Sequence, residues 1–223
     1  MSRAAAWHPS PNFGPRRDTD APDMIVLHYT AMRSAPDALT LLCDPAREVS
    51  AHYLIGADGH LWQMVREADR AWHAGAGSWA GARDVNSRSI GIELSNTGAT
   101  PFAAPQMAAL EALLRDLMAR WAIRPEAVVA HSDTALGRKI DPGPRFDWRR
   151  LARQGLSVWP EPAAPGQFLQ DCGRFGYDCA EGGEEDLLHA VRLRFRPWAT
   201  GRLDDTDRAI MADLAARYPA RRA

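Results

Sequence analysis

Residues 24–30, MIVLHYT, form an apolar run closed by a histidine, and they constrain the fold more than any other stretch. Pro22 bounds the run on one side and the Ser34–Pro36 stretch on the other. A segment so short and so apolar reads as a strand buried within a sheet. Two more runs share its character: SIGIELS at 89–95, and AVVAH at 127–131 after the Arg124-Pro125 turn. Gly91, inside the first of these, permits close backbone approach. Residues 48–65, EVSAHYLIGADGHLWQMV, hold two strand-like runs around Asp58-Gly59, a hairpin signal. Pro105 opens a helix on which Leu110, Leu114, Leu117 and Trp121 recur at helical spacing. Strands interleaved with helices predict an α/β domain.

Residues 159–168, WPEPAAPGQF, carry three prolines and a glycine and are expected to be a linker. They divide the chain into a first domain, 1–158, and a small helical one, 169–223. In the latter, Leu187, Leu188, Val191 and Phe195 share one helical face, and Ile210, Leu214 and Tyr218 share another, with Asp204 or Thr206 as its cap. About 55 residues make a marginal core, so this tail is expected to lean on the first domain.

The totals narrow the function. Of 223 residues, 46% are hydrophobic, which suits a packed core. A net charge of −1 supplies no bulk field for nucleic acid or an anionic membrane. No apolar stretch approaches the length of a membrane span. The first twenty residues hold no signal-like apolar stretch, so a cytoplasmic monomer is expected, or a periplasmic one if a leader was removed. Cys43, Cys172 and Cys179 form no CxxC and are expected to be free thiols; a Cys172–Cys179 bridge would need an oxidising compartment.

The chemistry concentrates in AHSDTALGRKIDPGPRFDW, residues 130–148. Two imidazoles, His28 and His131, with the Asp141 carboxylate make a donor set for one catalytic Zn²⁺, leaving a fourth position for water. Each histidine ends a strand-like run, and Pro142-Gly143-Pro144 would stiffen the loop that carries the carboxylate. Either histidine alone reads more simply as a hydrogen-bonded core residue, and Asp141 alone as a turn residue. Their joint spacing carries the argument. By strand alternation Glu93 shares a face with Gly91 and Ser95. There it would take a proton from an attacking water, where the simpler reading is an exposed edge glutamate. Lys139 is the single lysine among 27 basic residues. It would stabilise the oxyanion of an amide under attack, where the simpler reading is a solvated loop residue. His52 and His73 would line the site, and Trp72 and Trp79 would form an apolar wall beside it.

IVLHYTA, VSAHYLI, AWHAG, NSRSIGIEL and VVAHSD…GRKIDPGPRFDW resemble, in order and local spacing, the zinc N-acetylmuramoyl-L-alanine amidases of the phage-lysozyme and peptidoglycan-recognition-protein superfamily, the bacterial wall-recycling members above all. The resemblance spans about residues 5–160. It implies a central mixed β-sheet flanked by helices, followed by a small all-α domain. It also implies a single zinc ion on His28, His131 and Asp141, Glu93 as general base and Lys139 as transition-state stabiliser. Substrate-facing positions are expected at Tyr29, His52, Trp72, His73, Ala74, Asn86 and Ser132. The expected partner is peptidoglycan or its muropeptide fragments, cut between N-acetylmuramic acid and L-alanine. The tail is similar to a helical peptidoglycan-binding domain. Ala51 replaces a tyrosine frequent in phage and animal members. Glu48 and Asp84 stand where enzymes strict for the 1,6-anhydro sugar carry arginines, which argues against that strictness. The alternative reading is a recognition module that binds muropeptides without cutting them.

Overall fold

The computed structural model describes residues 5–220. Its strands are β1 (Ala6–Trp7), β2 (Phe13–Pro15), β3 (Met24–Tyr29), β4 (Tyr53–Ile55), β5 (Leu61–Gln63), β6 (Asp69–Ala71), β7 (Ser89–Leu94) and β8 (Val128–Ala130). Six of them make one sheet in the order β1-β5-β4-β7-β3-β8; β2 and β6 pair separately as an antiparallel ribbon. In the large sheet β4 and β5 are the antiparallel hairpin around Asp58-Gly59, and every other neighbouring pair is parallel. The helices are α1 (Ala35–Leu42), α2 (Val85–Arg88), α3 (Ala104–Trp121), α4 (His131–Thr134), α5 (Trp148–Ala152), α6 (Phe168–Phe175), α7 (Glu184–Phe195) and α8 (Asp205–Arg217). This is the α/β domain that the interleaved strands and helices predict, with the mixed sheet flanked by helices that the family resemblance implies. Among the described residues, no helix is long and apolar enough to cross a membrane.

The parallel strands are apolar on both faces because both are covered. On one face Ile25, Leu27, Ile90, Ile92 and Leu94 pack against Leu110, Leu114 and Leu117 of α3. Fully burying one such side chain contributes about 1.5–3 kcal/mol. The other face is covered in two separate pieces. Met24, Val26 and Val129 share a cluster with Phe168, Phe175, Val191, Phe195 and Leu214 of the tail helices. Leu54 and Met64 pack instead with Ala38, Leu39 and Leu42 of α1. The tail therefore forms one continuous core with the sheet.

Local chemistry sets the helix starts. The Ser34 side chain accepts the Asp37 amide at the head of α1, and Pro36 sits in its first turn. Asp204 accepts the amides of Thr206 and Asp207, and Asp207 answers in a capping box on α8. Between the two covering pieces, the carboxyl ends of β3, β7 and β8 are left open. Open α/β sheets hold their ligands at such strand ends.

Candidate active site

Register assembles the site. Leu27 of β3 pairs with Ala130 of β8, so His28 and His131 follow side by side. On its other flank His28 pairs with Glu93 of β7. Asp141 arrives from the loop after α4, and its carbonyl accepts the Ser132 amide at 3.0 Å. His28 Nδ1 and His131 Nδ1 are 3.0 Å apart. Asp141 Oδ2 is 2.9 Å from the first and 3.0 Å from the second.

The surrounding hydrogen bonds decide which atoms carry protons. The Ser89 hydroxyl donates to the Val85 carbonyl, so its oxygen accepts from His73 Nε2 at 3.1 Å. His73 is left with a lone pair on Nδ1, which accepts from His28 Nε2 at 3.0 Å. His131 Nε2 donates to the Ala74 carbonyl at 3.1 Å. Both rings thus turn an unprotonated Nδ1 toward the Asp141 carboxylate, a tautomer assignment that follows from the network. Burial keeps His28 neutral: desolvation first, then the neighbouring His131, lower its pKa to about 4 against the pull of Asp141. Burial likewise holds His73 well below the usual histidine range. Burial raises the Asp141 carboxyl, but its pairing with His131 and His28 outweighs this and holds it well below the usual range.

Three converging lone pairs and one negative charge repel unless a cation lies between them. Donors about 2.0–2.1 Å from a tetrahedral zinc stand roughly 3.3 Å from one another, close to the spacing seen. Two neutral imidazoles and one carboxylate therefore fit a divalent ion, and His28, His131 and Asp141 are a candidate metal site.

Glu93 lies beside this site in a cleft of about 420 Å³ that also exposes Tyr29, Trp72, His73 and Lys139. Its Oε2 is buried and has no hydrogen-bond partner among the described residues. Burial, then the Asp141 charge, push its pKa up to about 8, while Lys139 works against the rise. Met32, Leu41, Leu42 and Val49 give the cleft an apolar lining, to which Ile140 adds a side chain with half its surface exposed. A larger hollow of about 910 Å³ is lined by α7, residues 197–203, Arg208 and Pro144, and none of the three donors lines it.

A protein-family comparison matches residues 18–144 to Amidase_2, N-acetylmuramoyl-L-alanine amidase. The chain belongs to the N-acetylmuramoyl-L-alanine amidase family. It is 36% identical over 231 residues to the N-acetylmuramoyl-L-alanine amidase AmiD of Escherichia coli K12, spanning 87% of this chain and 83% of that protein. It is also 36% identical over 160 residues to the 1,6-anhydro-N-acetylmuramyl-L-alanine amidase AmpD of the same strain, spanning 64% of this chain and 86% of that one. The E. coli AmiD structure, a complex with the substrate anhydro-N-acetylmuramic acid-L-Ala-D-γ-Glu-L-Lys, superposes with a TM-score of 0.82 at 35% identity over 92% of this chain and 94% of that one. AmpDh3 of Pseudomonas aeruginosa, in complex with an anhydromuramic pentapeptide, gives 0.82 at 30% identity over 99% of both chains.

Within this amidase, the expected substrate-facing residues divide into two groups. Tyr29, Trp72 and His73 reach the cleft. His52, Ala74, Asn86 and Ser132 do not; all four are buried behind it. His52 accepts the Gly91 amide on Nδ1 and faces the Asp69 carbonyl with Nε2, so it braces β7. Asn86 accepts the amides of His73 and Ala74 and so holds the loop that positions both. Ala74 offers the site only its carbonyl, to His131, and Ser132 meets Asp141 through its backbone. The apolar wall also needs correction. Trp79 is buried against Phe175 and Tyr177 of the tail, because its indole completes the core there, and only Trp72 faces the cleft. Asp84, which stands where strict anhydro-sugar enzymes carry an arginine, pairs with Arg70 and accepts the Ser87 hydroxyl. Sequence reasoning missed Ser89, which ends the His28–His73 chain. Strand alternation puts it on the face of Gly91 and Glu93, and that was the available signal.

Proposed function

We propose that this amidase is a zinc enzyme that cuts the amide between the lactyl group of N-acetylmuramic acid, anhydro or not, and L-alanine in peptidoglycan fragments. The convergence of His28 Nδ1, His131 Nδ1 and Asp141 Oδ2 in the cleft beside Glu93 carries the proposal. The bound muropeptides of the two structural relatives support the substrate class.

Zinc held by the three donors supplies Lewis-acid chemistry, making water more acidic and a carbonyl more electrophilic. The chain's own residues supply the rest. Glu93 takes the proton of the attacking water as its oxygen bonds to the lactyl carbonyl carbon. The Lys139 ammonium, at the cleft rim, offsets charge on the carbonyl oxygen. The C–N bond then breaks, and Glu93 returns the proton to the departing L-alanine nitrogen. The second proton of the water passes to the same nitrogen, so the products are a lactyl carboxylate and a stem-peptide ammonium. Tyr29 and Trp72 line the cleft and offer aromatic surface to the sugar and peptide.

The test is a digest followed by mass spectrometry, on anhydro-muropeptides, non-anhydro muropeptides and whole sacculi. Chelation should abolish release of the stem peptide, and zinc added in slight excess should restore it. Unchanged release by fully chelated protein would sink the zinc reading. A long-lived complex with uncut muropeptide in the presence of zinc would favour a recognition module.

A further inference from the structure

Arg194 belongs to α7, in the tail, and its side chain is fully buried. Its guanidinium crosses to the segment that carries two of the three proposed metal ligands. Nη1 donates to Asp133 Oδ2 at 2.6 Å; Nη2 donates to the Val128 carbonyl at 2.9 Å and to Ser157 Oγ at 3.3 Å. Its plane lies over the Trp148 ring, 4.4 Å from the centroid. Val128 begins β8, and Asp133 lies two residues past His131. Trp148 opens α5, seven residues past Asp141. One cation thus holds both ends of the segment 128–148.

That segment needs holding. β8 is three residues long and sits at the edge of the sheet, with β3 as its single strand neighbour. Short edge strands are weakly fixed by their own ladder. Asp133 Oδ2 also accepts the Ala130 amide at 2.9 Å, next to His131, and Asp133 Oδ1 accepts the Tyr177 hydroxyl at 2.8 Å. Apolar contacts already join the tail to the sheet, and a buried ion pair is rarely the most stable way to add to them. Among the described residues, Arg194 Nε even lacks a partner. What the pair adds is direction, since a planar fork fixes its acceptors in space.

We propose that Arg194 is a positioning residue of the metal centre: from the tail, with Tyr177 beside it, it sets His131 and Asp141 at the separation that binds the ion. The inference rests on the metal reading above. It is tested on the full chain by zinc affinity against a competing chelator and by the visible spectrum of the cobalt(II)-loaded protein. Arg194→Lys keeps the charge but not the fork, and should weaken zinc binding about tenfold, as loss of an outer contact does elsewhere, and shift the cobalt bands. Tyr177→Phe keeps the ring and should weaken binding by about threefold, below the range for outer-shell losses; it carries the test if Arg194→Lys does not fold. Leu214→Ala loosens the tail core without touching Asp133, and should leave affinity and spectrum unchanged well below its melting point. Wild-type affinity and spectrum in both Tyr177→Phe and a folded Arg194→Lys would overturn the inference while leaving the metal reading intact. So would losses in Leu214→Ala that match those of Arg194→Lys. Failure of the wild-type protein to bind zinc or cobalt would overturn both.

Discussion

His73 rests its ring on the backbone of Gly91, where a Cβ would stand 2.4 Å from the imidazole. The glycine is therefore a seat for the ring that receives the His28 Nε2 proton. Gly91→Ala should push His73 off His28 and cost about 1–3 kcal/mol, as overpacking does. Zinc affinity should fall together with stem-peptide release. A crystal structure of the variant with His73 unmoved and activity intact would refute the seat.

Glu93 gives a prediction in which activity and stability move in opposite directions. Its folded-state pKa is raised from 4.5 to about 8 by burial and by Asp141. Below pH 4.5 the group is protonated both folded and unfolded, and its charge costs nothing. As pH rises to 8 the unfolded chain ionises first, so the folded state loses stability across that window, and the loss is complete above it. Glu93→Gln removes this term. In chelated protein the variant should melt about 5 °C higher than wild type at pH 9, for a gain on the order of 2 kcal/mol, and nearly level with it at pH 4.5. Turnover should drop by roughly 10²–10⁴ with zinc content retained. Melting scans at the two pH values and metal analysis decide it; near-normal turnover would end the base assignment.

Lys139 stands exposed at the cleft rim as a compact ammonium. Lys139→Arg keeps the charge, but the wider guanidinium cannot approach a developing oxyanion as closely. The expected result is a kcat lowered by roughly tenfold or more at similar KM, in line with loss of one stabilising contact in the transition state. Steady-state kinetics with equal kcat for the two side chains would count against the role.

Trp79 tests the correction to the apolar wall. Because it packs into the tail core, Trp79→Ala should cost about 3–5 kcal/mol of stability and leave KM for muropeptides near the wild-type value at a temperature where the variant is folded. Trp72→Ala should do the reverse, raising KM with little change in melting temperature. If both effects fall on the same residue, the division between core and cleft is wrong.

Much of this molecule is legible along the chain, and the reasons are local. An apolar run bounded by proline is a buried strand wherever it packs, and β3, β7 and β8 lie where MIVLHYT, SIGIELS and AVVAH predict them. Helix α1 passed unread although Ser34 and Pro36 mark its start and Ala35, Ala38, Leu39 and Leu42 recur at helical spacing, because eight residues show that period only about twice. The donor set of His28, His131 and Asp141 is a matter of residue type, which no fold can change. Which histidine faces a ligand and which braces a strand is not local. His52 and His73 differ in role because β7 presents an amide to one and a bare Cα to the other, and only strand register settles that. The same holds for Trp79 and for Arg194, whose partners lie far off in sequence. Residue identity wrote the chemistry; the packing of distant segments, which depends on every layer of the core at once, decided which groups meet.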